Sequence, residues 1–367
     1  MLLFKGPRDQ LLSPLQSVCG IVEKRHTLPI LSNVLMEKDG DQLTLLATDI
    51  EIQIRTAAVT GGSDKAALTV AARKLQDILR SLPETAEISL NYEDRRLQLK
   101  AGKSRFNLQT LPAEDFPRMA GADGAKTKIN ITQKQFKRLL ALVQYAMAQQ
   151  DIRYYLNGLL VVVQDNEMRV IATDGHRLAY AAETLPDSHQ RQEVILPRKT
   201  VLELSRQLAD NDDPLEIVLA PTQVQFRFGN IEFVSKLIDG KFPDYERVIP
   251  QNHTKIIKLS RDGLLHSLQR VAILTNEKFR GVRLVLGAGS LKIISNNAEQ
   301  EEAQEEIEVE YSAEALDIGF NVTYLLDVLN NLNCETIECH LADSNSSALF
   351  MLPGQQNFKY VVMPMRI

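Results

Sequence analysis

Two hydrophobic periods alternate along this 367-residue chain. In one, apolar residues recur at steps of three and four. Phe136, Leu139, Leu140, Val143 and Met147 make a single stripe, with Lys134, Arg138 and Tyr145 turned the other way. Leu75, Ile78, Leu79 and Leu82 repeat the pattern, with Arg73, Asp77 and Arg80 opposite. Segments near 8–25, 73–82, 133–149, 198–209, 261–274 and 322–332 are therefore predicted helices. Between them apolar and polar residues alternate, as from Thr222 to Phe228, the mark of half-buried antiparallel strands. The expected class is α+β, with helices packed on one face of antiparallel sheets.

The pattern also repeats on a longer scale. Leu43 to Asp49, Met168 to Asp174 and Leu291 to Asn297 are three versions of one strand ending in Asp or Asn. Helices open at Arg73-Lys74, Arg198-Lys199 and Val322-Thr323. Each copy closes on an apolar residue before proline: Phe116-Pro117, Phe242-Pro243 and Met363-Pro364. Three landmarks recur in one order with a period of about 125 residues, so the chain reads as three homologous modules. Their expected bounds are 1–125, 126–250 and 251–367.

Charge changes this picture. The chain carries a formal net charge of -5, which on its face disfavours a phosphate-rich partner. The helical segments nevertheless hold an excess of Lys and Arg, so the remainder is strongly acidic. If the helices share one surface, that surface is basic and suits phosphates without selecting a base sequence. Tyr154 and Tyr155, beside Gln150 and Arg153, could stack on unpaired bases or belong to the core of the next strand.

Catalytic constellations are hard to find. Gly121 to Thr127 resembles a phosphate loop, but Ala125 stands where the loop needs glycine, and a linker is the better reading. Asp174-Gly175-His176-Arg177 places Asp near His and could suggest a hydrolase. Asp49 and Asn297 fill the place of Asp174 in the other copies, which fits a turn cap better than proton transfer. The three cysteines, Cys19, Cys334 and Cys339, form no C-x-x-C pair. A metal site from Cys334, Cys339 and His340 is outweighed by their reading as small apolar positions. No cofactor is expected. No apolar run is long enough for a membrane helix, and no signal-peptide core opens the chain, so a cytoplasmic location is expected.

The two ends are complementary. Glu299, Glu301, Glu302, Glu305, Glu306, Glu308 and Glu310 make the third module acidic. The first module offers Arg95, Arg96, Lys100, Lys103 and Arg105 on strands. Head-to-tail contact between chains would join them. Lys74, Phe106 and Leu108 would complete one side of that contact, and Ile273 and Leu274 the other, although ordinary core packing also accounts for the apolar ones. The tail, Tyr360 to Ile367, is apolar almost to its last residue and suggests a docked strand beside an adaptable groove.

Five segments carry a family resemblance: His26 to Leu31, Asp151 to Gly158, Ala172 to Leu178, Asn276 to Arg283 and Val361 to Arg366. The whole chain resembles the bacterial DNA polymerase III beta subunits, the β sliding clamps. The resemblance implies a head-to-tail homodimeric ring with helices lining a central hole, which encircles double-stranded DNA without sequence preference. It implies no catalytic activity. DNA contacts would fall to Arg25, Arg73, Gln150, Tyr154 and Tyr155, the tyrosines also meeting single-stranded template. A partner-peptide groove would be formed by Leu156, Thr173, Gly175, His176, Arg177, Leu178, Pro243, Arg247, Val248, Ser347, Val361, Val362, Met363, Pro364, Met365 and Arg366. Implied partners are the DNA polymerase III catalytic subunit, a clamp loader, and other clamp-binding polymerases and repair proteins, with no membrane.

Overall fold

The computed structural model describes residues 1–23, 28–121, 124 and 127–366. The predicted helices form: α1 (Arg8–Cys19), α2 (Ala72–Ser81), α3 (Gln133–Val143), α4 (Arg198–Gln207), α6 (Arg261–Val271) and α7 (Val322–Asn331), with a single short turn of helix, α5 (Tyr245–Val248), between α4 and α6. No described helix is long and apolar enough to cross a membrane.

Three helices end earlier than their periodicity suggests. Helix α1 stops at Cys19, α3 at Val143 and α6 at Val271. After α3 and α6 the chain tightens into 3-10 turns, Gln144–Ala146 and Ala272–Leu274. Beyond the first of these the Ala148 N–H bonds the Leu156 carbonyl at 3.0 Å instead of a helical neighbour. Met147 is buried, but from extended backbone rather than from the helical stripe. Local side-chain caps hold two starts: Ser260 Oγ accepts from the Gly263 N–H, and Asn321 Oδ1 from that of Thr323.

The described chain packs as two compact units, Met1–Lys134 with Glu203–Leu237, and Gln135–Leu202 with Ile238–Ile367. The first unit holds a twelve-stranded sheet. Its continuity rests on Ile52–Val59 pairing antiparallel with Ile231–Lys236, Gln53 opposite Val234 and Ile54 opposite Phe233. The last strands expected of the second module thus extend the sheet of the first. The second unit repeats the arrangement. Its six-stranded sheet pairs Arg177–Pro197 with Phe358–Val362, Leu178 opposite Val361. A separate four-stranded sheet runs in the order Glu302–Glu308, Ser290–Asn296, Gly281–Gly287, Leu316–Asn321.

Apolar helix stripes are buried as expected: Leu75 and Leu79 of α2, and Phe136, Leu139, Leu140 and Val143 of α3. The charged faces are less uniform than the sequence suggested. Arg8 is buried and donates to the Leu82 carbonyl at 2.6 Å, so it closes a loop rather than facing solvent. Arg206 and Arg270 are paired within the chain with Glu203 and Glu305. Lys74, Arg80, Lys134 and Arg138 remain exposed on their helices.

Candidate functional site

The second unit places most of the expected groove residues around one tight turn. Strand Gly158–Thr173 ends there, and Arg177–Pro197 begins on the other side. The Thr173 hydroxyl donates to the Arg177 carbonyl at 2.6 Å and accepts from the Gly175 N–H at 3.1 Å. Asp174 Oδ1 accepts from the backbone N–H groups of His176 and Arg177. Gly175 lies at φ +90°, which glycine adopts without a Cβ clash. Asp174 therefore caps this turn, and the same network recurs in the first copy. Thr48 bonds the Ile52 carbonyl, and Asp49 Oδ1 accepts from Glu51 and Ile52. In the third copy Asn297 Oδ1 accepts from Glu299 and Glu301. Asp174 addresses the His176 backbone rather than its ring, so the two do not form an acid–base pair.

Arg177 sits behind this turn with only 9% of its side chain exposed. Its guanidinium contacts Asp174 Oδ2 at 3.1 Å, Asp327 Oδ2 at 2.5 Å and the Tyr145 carbonyl at 2.6 Å. The Tyr324 ring lies 4.5 Å from its central carbon. Burial opposes the charge, but the Tyr360 hydroxyl and the Asp327 carboxylate outweigh it and hold the arginine above its ordinary pKa. Arg177 is therefore a buried support for this turn. Tyr145, expected on the polar face of its helix, turns inward instead. Its ring lies 5.7 Å from that of Tyr360, and burial pushes its hydroxyl well above the usual range. Tyr145, Tyr324, Asp327 and Tyr360 are partners of the turn that helical periodicity could not identify.

An apolar floor lies beside the turn. Leu156, Leu178 and Val361 share one buried cluster with Ile171, Phe242, Tyr245 and Leu349. The tail is docked: strand Phe358–Val362 runs between Arg177–Pro197 and Ala348–Met351. The Met363 N–H then bonds the His176 carbonyl at 2.9 Å, and that of Met365 the Gly319 carbonyl at 2.9 Å. Met363 stays 49% exposed and Val248 44%, an apolar rim above the floor. Pro364 and Met365 are half-buried, Arg366 is exposed, and Val362 is buried. Thr173 is buried, Ser347 half-buried, and Gly175, His176 and Pro243 exposed. Arg247 reaches Asp244 at 2.9 Å on the exposed side of α5.

The expected DNA contacts divide. Arg25 lies outside the described residues. Arg73 is half-buried and donates twice to the Val22 carbonyl, at 3.1 and 2.6 Å. Gln150 is exposed at φ +54°. The paired tyrosines take different roles: Tyr154 is 58% exposed, while Tyr155 packs against the apolar cluster. Their rings meet edge to face at 5.9 Å. Arg153 holds this loop by bonding Asp151 and, at 3.2 Å, the Asp174 carbonyl. The hydrogen bonds from Arg153 draw the half-buried Asp151 carboxyl down to about 2.

Two sheet edges carry the complementary charges. Strand Ser104–Leu111 pairs with its other neighbour only at Thr110 and Leu111, leaving most of one edge open. Arg105 and, beside it, Lys103 are exposed, and Phe106 and Leu108 are half-buried. Glu302–Glu308 is the edge strand of the four-stranded sheet. Glu299, Glu301 and Glu302 are exposed there, while Glu305 is bonded by Arg270 at 2.6 and 2.7 Å. Ile273 is 78% exposed and Leu274 half-buried. Cys339 and His340 are neighbours on one strand and point to opposite faces of its sheet, which opposes shared metal ligation.

Three family models match in succession. That of the DNA polymerase III beta subunit N-terminal domain covers residues 2–120, the central domain 130–244 and the C-terminal domain 246–366. The beta sliding clamp of Pseudomonas putida is 49% identical over 366 residues, covering 99% of this chain and 100% of the relative. That of Escherichia coli K12 is 45% identical over 367 residues, with 99% and 100% covered. Among solved structures, the DNA polymerase III subunit beta of Pseudomonas aeruginosa superposes with a TM-score of 0.96 at 48% identity, covering 100% of both chains. The Caulobacter crescentus pol III beta reaches 0.93 at 38% identity, again covering 100% of both.

Proposed function

The chain belongs to the DNA polymerase III beta subunit family, the sliding clamps, and from this we propose how its surfaces divide the work. It is a non-catalytic clamp of DNA replication, and DNA and DNA polymerase III are its partners. The finer assignment is that two chains close head to tail into a ring. The basic edge Ser104–Leu111 of one chain would add to the acidic edge Glu302–Glu308 of the other. An open strand edge offers unpaired N–H and C=O groups, and opposite charges select the partner edge and its register. Lys74, Lys103, Arg105, Phe106 and Leu108 would meet Ile273, Leu274, Glu299, Glu301, Glu302 and Glu305.

A closed ring holds DNA by topology. Tight binding is then unnecessary, and diffuse cations without base-specific contacts allow sliding. Arg25, Arg73, Gln150 and Tyr154 are the proposed DNA contacts. Tyr155, half-buried against the apolar cluster, is the fifth proposed contact. The three modules, 1–125, 126–250 and 251–367, supply the repeated helices. A cytoplasmic location belongs to the same reading.

The groove of the second unit is the proposed docking site for the polymerase catalytic subunit, the clamp loader and other clamp-binding polymerases and repair proteins. One observation carries it. The docked tail leaves Met363 exposed above a buried floor of Leu156, Leu178 and Val361. Thioethers adapt to several apolar partners. Replacing Met363 with Asp should weaken binding of the catalytic subunit at least tenfold and leave the clamp's mass unchanged. Unaltered binding would move the docking site elsewhere.

A further inference from the structure

The first unit contains a cavity of about 260 Å³ lined by Thr48, Ile50, Pro117, Arg118, Met119, Gln223 and Lys236, among others. Each key position has a counterpart in the groove proposed for the second unit. Thr48 and Ile50 occupy the places of Thr173 and Gly175 in the repeated turn. Pro117 follows Phe116 as Pro243 follows Phe242. Pairing of Gln53 with Val234 matches that of Leu178 with Val361, which puts Lys236 in the place of Met363. Gln223 pairs with Lys236, as Ser347 would face Met363 one residue beyond the Ala348–Val362 pair. Below lies a smaller apolar floor, Leu35, Leu46 and Phe116, in the places of Leu160, Ile171 and Phe242.

The chemistry differs in a definite way. Lys236 brings an exposed ammonium where the groove has a thioether. Among the described residues its ammonium has no ion-pair partner. Arg118 adds a second cation, held to Glu37 at 2.7 Å, and among the described residues no carboxylate lines the cavity. Ile50 fills the glycine position at φ +79°, a strained conformation for a β-branched residue that is kept where surrounding structure imposes it. Its side chain narrows the space and keeps it apolar.

We propose that this cavity is a second docking site, selective for a short apolar peptide segment of another protein that bears a carboxylate. The apolar part would lie against Ile50 and Met119, and the carboxylate would meet Lys236. The ligand class, a peptide, rests on the groove reading; the acidic preference rests on Lys236, since Arg118 is already paired with Glu37.

The test uses the full chain labelled at isoleucine and methionine methyl groups. It is titrated with N-acetyl-leucylleucine as the free acid and as its C-terminal amide, followed by NMR. The Ile50 and Met119 signals should move, and the acid should bind about threefold more tightly than the amide, the scale of an exposed ion pair. Lys236→Met should abolish that difference. Unmoved Ile50 and Met119 signals overturn the proposal, as does an acid preference that survives in the variant. Met363 reports on the groove in the same titration. Movement there alone rejects the second site and spares the groove; movement at Ile50 alone does the reverse.

Discussion

Arg177 and Asp327 meet at 2.5 Å across 150 residues of sequence. One closes the turn beside the proposed groove, and the other stands on α7. Asp327, Tyr145, Tyr324 and Tyr360 surround the nearly buried Arg177 guanidinium beside the docked tail. Asp327→Asn keeps the shape and removes the charge. It should cost about 1–3 kcal/mol of stability, because a buried charge loses a charged hydrogen-bond partner. Urea unfolding of the variant against the parent chain checks this; a change below about 0.5 kcal/mol, the scale of an ordinary surface substitution, would contradict it.

His253 confers a pH dependence. Burial lowers its pKa below 6.5, although its Nδ1 donates to the His340 carbonyl at 3.0 Å. The unfolded chain therefore takes up this proton at higher pH than the folded one. Stability from His253 is complete above 6.5, and it declines as pH falls from there toward the folded value. Thermal unfolding between pH 7.5 and 5 should show a shallower decline in His253→Gln. An identical slope would remove His253 from the account.

Ile50 offers a test of strain. Left-handed backbone costs a non-glycine residue roughly 1–2 kcal/mol, while glycine adds roughly 0.5–1 kcal/mol of unfolded-state entropy. Ile50→Gly should therefore leave stability unchanged or raise it by up to about 1 kcal/mol, although an apolar side chain is lost. Clear destabilisation in a denaturant titration would mean that Ile50 packing outweighs its backbone strain.

The two sheet edges predict how chains associate. Ile273 is 78% exposed, so Ile273→Ala with Leu274→Ala should change single-chain stability little while weakening dimerisation by at least tenfold. Sedimentation should find the parent chain at about twice 41.2 kDa and the variant shifting toward one chain on dilution. Equal masses at every dilution would reject this edge.

Much of the fold was legible because it is repeated. The Thr48-Asp49 and Thr173-Asp174 turns have matching bonds, so comparing copies separated a structural Asp from a catalytic one. Periodicity located the helices but missed their ends. Met147 continues the apolar spacing of α3, yet a carbonyl outside the helix takes the next N–H. Tyr145 and Arg8 escape the pattern for another reason: amphipathic spacing ranks positions by polarity and cannot see a partner distant in sequence. Tyr145 meets Tyr360 and the arginine of the turn, while Arg8 finds the carbonyl of Leu82. Tyr154 and Tyr155 show the same limit, since neighbours of one residue type were separated by packing alone.

Encirclement of DNA is a topological property, and linearising a loaded circle measures it directly. The protein is loaded by a clamp loader onto nicked circular DNA, excess protein is removed, and the circle is cut once. A ring that encircles DNA should stay on the circle and leave within minutes of linearisation, unless bulky blocks close the ends. Retention on unblocked linear DNA would contradict encirclement and leave a clamp held by contacts alone.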